Sequence, residues 1–254
     1  MHAVLLAAGM GRRLHEITGG GPKCLLPFGD ASLLERHLRL LAGAGIRRLT
    51  VVVGFEAMQI EQALGALVPA VAPALALDTA HNPAFRQGSA QSVLAARRVL
   101  ESGEDVLLMD ADVLYDHRLL DALLTAQGPN ALGMDRGVGA DDAEAVKVGL
   151  EDGRIVAFDK TLPDGLVYDV LGESVGFFRL SPAGGAALAA ECERVGAADE
   201  DASYEAALQR VMRAGHIVFE AVDVTGLPWI EIDYPADAAR AADEIVPQLQ
   251  TIQG

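Results

Sequence analysis

Short apolar runs alternate with stretches of helical period through the first half of the chain. Residues 4–6, 49–53, 74–77 and 105–109 read as strands. The segments near 32–41, 56–64, 89–100 and 117–125 repeat apolar positions three and four apart, as helices buried on one face do. Ser32, followed three residues later by Glu35, forms a capping box that fixes the start of the first helix. Apolar strands alternating with helices across short links predict a doubly wound, mostly parallel α/β sheet. Ligands of such a sheet gather at the carboxyl ends of its strands.

After about Asn130 the texture changes. Residues 146–150 and 154–158 flank Asp152-Gly153, a hairpin turn signal. Strands at 174–180 and 216–224 follow, with helical stretches near 182–195 and 203–214 and a last helix from near Ala236. This half reads as a small antiparallel β/α portion capping the ligand edge. No repeat or linker interrupts the chain, so a single domain spanning 1–254 is expected, with a nucleotide-binding half at 1–130 and a second half at 131–254. Asp199-Glu200-Asp201 reads as a solvated loop.

Composition narrows the class. The chain has 254 residues, 51% of them hydrophobic and 22% charged, and no apolar run nears the ~20 residues of a membrane span. Residues 4–8 are too short for a signal-peptide core and no basic region precedes them, so a cytoplasmic location is expected. Cys24 and Cys192 stand apart without metal spacing. A net charge of −16 argues against nucleic-acid binding, which needs basic surface. Against that acidity, the first 29 residues carry Arg12, Arg13 and Lys23 and a single acid, Glu16. The local reversal points to a small polyanion.

The cations frame a small-residue loop. Leu6-Ala7-Ala8-Gly9-Met10-Gly11-Arg12-Arg13 leaves an apolar strand, and Pro22-Lys23-Cys24-Leu25 follows. Backbone N–H groups in such a loop cradle phosphates, and Arg13 and Lys23 neutralise them. A dinucleotide-binding turn would want a small residue where this chain has Leu14, and no G-x-x-x-x-G-K-[ST] run exists.

L-A-A-G-x-G-x-R followed by P-K-x-L resembles the signature of the sugar-nucleotidyltransferase superfamily. The resemblance implies a Rossmann-like nucleotidyltransferase fold, catalytic roles for Arg13 and Lys23, and nucleotide contacts from Leu6, Ala7, Ala8, Gly9 and Gly11. It also implies Mg2+ held by two aspartates, one ending a strand and one late in the chain. The matching residues are Asp112 in Met109-Asp110-Ala111-Asp112-Val113 and Asp233 in Trp229-Ile230-Glu231-Ile232-Asp233. Asp110 competes with Asp112 for the strand-end role and is otherwise a nucleotide contact. Gly88-Ser89-Ala90, at the opening of a helix, matches the turn with which related enzymes read the base, with Ser89 as helix cap the ordinary alternative.

Further along, Val146-Lys147-Val148, the hairpin, Lys160, Gly172-Glu173-Ser174-Val175-Gly176-Phe177 and Trp229-x-Glu231-Ile232-Asp233 resemble the branch of phosphocholine, phosphonate and inositol-phosphate cytidylyltransferases. That branch implies acceptor contacts from Lys147, Lys160, Glu173 and Trp229. Ala111-Asp112-Val113 stands where the superfamily has G-D-V, and the D-x-P of molybdopterin cytidylyltransferases is missing. A choline cage needs converging aromatics, for which Tyr168, Phe177, Phe178, Trp229 and Tyr234 are the candidates.

The expected reaction is attack of an acceptor's phosphate or phosphonate oxygen on the α-phosphorus of an NTP, with CTP favoured and pyrophosphate leaving. The expected acceptor is a small phosphate- or phosphonate-bearing alcohol or amine. No nucleic-acid or membrane partner is expected, and self-association stays open. The competing readings are a hexose-1-phosphate nucleotidyltransferase and a catalytically silent nucleotide-binding protein of the same fold.

Overall fold

A computed structural model describes residues 1–137 and 145–250. The chain opens with β1 (His2–Leu6), α1 (His15–Thr18), the two-residue strands β2 (Pro27–Phe28) and β3 (Ala31–Ser32), and α2 (Leu33–Gly43). It continues through β4 (Arg48–Val53), α3 (Ala57–Val71), β5 (Ala76–His81), α4 (Ala90–Ala95), α5 (Arg97–Leu100), β6 (Val106–Asp110), β7 (Val113–Tyr115) and α6 (His117–Thr125). The second half holds β8 (Asn130–Asp135), β9 (Lys147–Glu151), β10 (Arg154–Asp159), β11 (Val170–Leu180), α7 (Pro182–Ala198), α8 (Tyr204–Arg213), β12 (Phe219–Asp223), β13 (Trp229–Glu231) and α9 (Pro235–Arg240).

Nine described strands form one sheet in the order β10-β9-β11-β6-β1-β4-β5, with β8 paired to β11 and β12 added beyond β8. Strands β6, β1, β4 and β5 are parallel, and β11 joins β6 antiparallel. The parallel core is buried on both faces because alternate residues enter different cores. Ala3, Leu5, Leu107 and Met109 pack with Leu34, Leu38 and Ile60, while Val4, Val106 and Leu108 pack with Val93, Leu188 and Leu208. The doubly wound α/β architecture is the expected one, with the second half built mainly on antiparallel pairing.

Several boundaries move. Strand β5 begins two residues later than expected and runs on through Asp78 and His81, as a largely exposed edge. The helix expected at 89–100 breaks at Ala96 into α4 and α5. Ser32 accepts from the Glu35 N–H at 3.2 Å, but the Glu35 carboxylate turns to Arg39, so only half of the capping box forms. Asp152 and Gly153 both have positive φ, 50° and 73°, as a two-residue hairpin turn requires.

A third, smaller core lies outside the sheet. Leu14, Phe28, Leu33, Leu114, Ile230 and Ile232 are all buried together. This cluster clamps the glycine loop, the start of α2 and the β7–β13 pair into one body.

Candidate active site

The glycine loop follows β1 with a run of N–H groups that neither strand nor turn takes up among the described residues. Ala7 N–H is taken by the Val52 carbonyl at 2.9 Å, while the N–H groups of Ala8, Gly9, Met10 and Gly11 donate to no group among the described residues. Four such donors in succession make a polar cradle for an anion. Leu14, buried in the third core, anchors the far end of the loop.

Lys23 enters from a one-turn helix that Pro22 starts with φ −64°. Its Nζ lies 2.6 Å from Asp112 Oδ2 and 2.8 Å from Asp233 Oδ1. Burial alone would depress the ammonium, but the carboxylates of Asp112 and Asp233 outweigh it and hold Lys23 above the ordinary lysine range. Arg13 stands half exposed beside it, 3.9 Å from Asp233 Oδ2 and with its guanidinium over the Tyr234 ring at 4.6 Å.

Backbone pairing explains how residues 121 positions apart in sequence meet. Antiparallel β13 and β7 set Glu231 opposite Val113, and Ile232 N–H donates to the Asp112 carbonyl at 3.0 Å. The fourth apolar strand, expected at 105–109, runs from Val106 to Asp110. Asp112 sits in the link between β6 and β7, where a partner strand fixes it.

Asp112, Glu231 and Asp233 offer carboxylate oxygens that all lie within 4.8 Å of one another. Asp112 Oδ1 is buried without a hydrogen-bond partner. Desolvation within the cleft, then Asp112 and Asp233, push the Glu231 carboxyl up to about 8. An orphaned buried oxygen among hard oxygen donors suits a divalent cation of the Mg2+ type. Glu231 was not anticipated. The signal was available, because residues two apart on a strand share a face and Glu231 precedes Asp233 by two.

Beside this cluster opens a cavity of about 470 Å³, whose wall includes Asp110, Lys160, Glu173, Trp229, Glu231 and Asp233. Trp229 is oriented by its Nε1–H donating to Asp135 Oδ2 at 2.7 Å. Lys147 is not part of the wall; it is buried, and its ammonium donates to the Lys160 carbonyl at 2.9 Å. Of the aromatic candidates, Trp229 and Tyr234 line the cavity, Phe177 and Phe178 are wholly buried core, and Tyr168 is exposed elsewhere.

Asp110 faces this cavity as well. Tyr204 Oη–H donates to its Oδ2 at 2.6 Å. Burial, then Asp112 and Glu205, hold the Asp110 carboxyl well above the usual carboxylate range against that hydrogen bond. Gly176 opposes it with φ +75°, and a Cβ there would sit 2.5 Å from Asp110 Oδ2. The strand bends at this glycine because only glycine fits.

Gly88-Ser89-Ala90 has a different local logic from the expected one. A Cβ at Gly88 would sit 2.1 Å from the Ala202 carbonyl oxygen, and Gly88 N–H donates to the Glu200 carbonyl at 2.9 Å. The room that the missing side chain leaves is filled by the 199–202 loop rather than left open to a base. Ser89 Oγ makes no cap bond to its own helix and accepts from Tyr204 N–H at 3.0 Å, at the start of α8.

The model of the MobA-like NTP transferase domain matches residues 3–146, which contain the glycine loop, Lys23 and Asp112. The chain belongs to the MobA-like NTP transferase domain family. Within the nucleotide-diphospho-sugar transferase superfamily, this MobA-like chain is 35% identical over 96% of its length to the bifunctional IPC transferase and DIPP synthase of Rubrobacter xylanophilus, of which it covers 51%. It is 29% identical over 95% of its length to the CMP-5'-(3-aminopropyl)phosphonate synthase of Streptomyces rubellomurinus, covering 38% of that protein. The chain thus spans about half or less of the length of these relatives. The inositol-1-phosphate CTP transferase of T. maritima shares the fold, with a TM-score of 0.76 at 23% identity, each chain covered to 98%. Among the described residues no helix is long and apolar enough to cross a membrane.

Proposed function

We propose that this chain is a Mg2+-dependent cytidylyltransferase that joins CTP to a small phosphate- or phosphonate-bearing alcohol or amine and releases pyrophosphate. The observation that carries the reading is the convergence of Lys23 and Arg13 on Asp112 and Asp233, between the N–H groups of the glycine loop and the 470 Å³ cavity. A protein that only bound a nucleotide would have no use for a cavity opening onto Glu231 and Asp233 beside the loop. CTP is favoured because a relative aligned along nearly the whole chain is named a CMP-5'-(3-aminopropyl)phosphonate synthase.

On this reading residues 1–130 hold the nucleotide and 131–254 hold the acceptor and complete the metal set, in a cytoplasmic enzyme. The Ala8–Gly11 amides and Arg13 grip the β- and γ-phosphates, and Lys23 takes the α-phosphate as charge spreads over its oxygens. Lys160, on the cavity wall, orients the acceptor's anionic group. Asp112, Glu231 and Asp233 would hold the Mg2+, which when bound neutralises phosphate charge and aligns the reacting oxygens. No side-chain base is needed, because a phosphate or phosphonate oxygen is already ionised at neutral pH.

Pyrophosphate release with CTP, UTP, ATP and GTP, each against inositol-1-phosphate, phosphocholine, 2-aminoethylphosphonate and glucose-1-phosphate, tests the assignment. Highest kcat/KM for CTP with one of the first three is expected. Preference for another nucleotide, or for glucose-1-phosphate, overturns it.

A further inference from the structure

Lys23 and a divalent cation require the same carboxylates. The ammonium bridges Asp112 Oδ2 and Asp233 Oδ1 at 2.6 and 2.8 Å, with its side chain only 14% exposed. Mg2+ binds oxygens at roughly 2.0–2.1 Å in a near-octahedral shell, so a cation shared by both residues would stand within a few ångströms of Nζ. Two positive charges that close, among partly buried carboxylates, repel each other. A triphosphate changes the balance, because it offers the ammonium another anion and the metal further oxygens.

The stem of Lys23 is built to stay while its head moves. Its Cβ lies against Gly11, where an added Cβ would meet it at 3.3 Å, and Pro22 fixes the backbone just before it. Past Cβ the side chain has three more methylene groups with which to swing between carboxylates and phosphate.

We propose that Lys23 is a resident counter-ion that gates metal entry. The divalent cation takes the Asp112–Asp233 position only together with the nucleotide, as the Lys23 ammonium transfers from the carboxylates to the phosphate. This rests on reading those carboxylates as metal ligands. It adds an order of loading, in which the nucleotide-free enzyme is closed to free metal.

Mn2+ binding to the full chain, followed by the loss of the free-ion electron paramagnetic resonance signal, tests this with and without CTP, after subtraction of the Mn2+ that the same CTP takes up without protein. Nucleotide-free wild type should bind Mn2+ weakly. Lys23→Met should bind it on the order of 100-fold more tightly, as expected when a partly buried carboxylate pair loses its counter-ion, and Lys23→Met/Asp112→Asn should lose that gain. Lys23→Met should also melt below wild type in EDTA and recover in Mn2+, whereas Mn2+ alone leaves the wild-type Tm unchanged. A lysine that served only packing would show no such metal rescue.

Equal Mn2+ affinity of nucleotide-free wild type and Lys23→Met overturns the gate. So does wild type that binds Mn2+ as tightly without CTP as with it, a readout independent of any variant's folding. Wild type that fails to bind Mn2+ even with CTP overturns the metal-site reading and the gate with it. Lys23→Gln repeats the comparison if the methionine variant does not fold.

Discussion

Tyr204 donates its hydroxyl hydrogen to Asp110 Oδ2 across 2.6 Å, and through that bond helix α8 of the second half holds the end of strand β6. Tyr204 is buried and Asp110 partly so, and the bond ties the carboxyl to the cavity wall. Tyr204→Phe should cost about 1–3 kcal/mol, the range for leaving a buried polar group unsatisfied. A lower urea midpoint at unchanged slope is the expected readout. The KM for the acceptor found by the pyrophosphate screen should rise, with that for CTP unchanged.

Gly176→Ala should be worse than an ordinary surface substitution. The φ of +75° disfavours any side chain, and the new methyl would lie 2.5 Å from Asp110 Oδ2. About 1–3 kcal/mol of backbone strain is expected, with displacement of Asp110 added. Thermal denaturation should show the loss, and acceptor saturation kinetics should weaken with it.

His37 predicts an acid limb in stability. It is fully buried against Tyr115 and Phe177, with ring centroids 5.3 and 6.4 Å away. Burial lowers its pKa from 6.5 to about 4, against smaller raising effects of the Ala111 backbone and Asp112. The unfolded chain therefore binds more protons than the folded one between these values. Stability is complete above pH 6.5 and falls as pH drops toward 4, by about 3 kcal/mol from this residue. The urea midpoint of wild type should fall across that window while that of His37→Phe, measured beside it, lacks this fall.

Asp233→Asn should raise the Mg2+ concentration for half-maximal rate, because the carboxylate set shrinks from three to two. Asp112→Asn should act likewise. If both serve one ion, the double variant should be little worse than the worse single one. Steady-state rates over a Mg2+ titration decide this, and unchanged Mg2+ dependence in Asp233→Asn would remove it from the metal set.

The parallel core was legible because strands buried on both faces read as unbroken apolar runs. Strand β8, Asn-Ala-Leu-Gly-Met-Asp, escaped because it has no β-branched or aromatic residue, and its pairing with β11 and β12 is what makes it a strand. Three-residue β7 is too short to show a period. In the site, Lys23, Asp112 and Asp233 were readable from motif and spacing, and the structure brings them together. The packing of the 199–202 loop on Gly88 was not legible, because a glycine in sequence looks the same whether ligand or backbone fills its space. Tyr204 and Asp135 gave no signal, since each acts only through a partner 94 residues away.

The ion pair between Lys23 and Asp233 closes a loop of 210 residues. Closing so long a loop carries a chain-entropy cost that local contacts do not offset, so the pair forms once the intervening sheet is in place. A chain emerging from the ribosome exposes its glycine loop about 200 residues before Glu231 and Asp233. The carboxylate set is therefore incomplete in any nascent chain that has not reached β13: the strand that closes the loop also delivers Glu231 and, two residues on, Asp233.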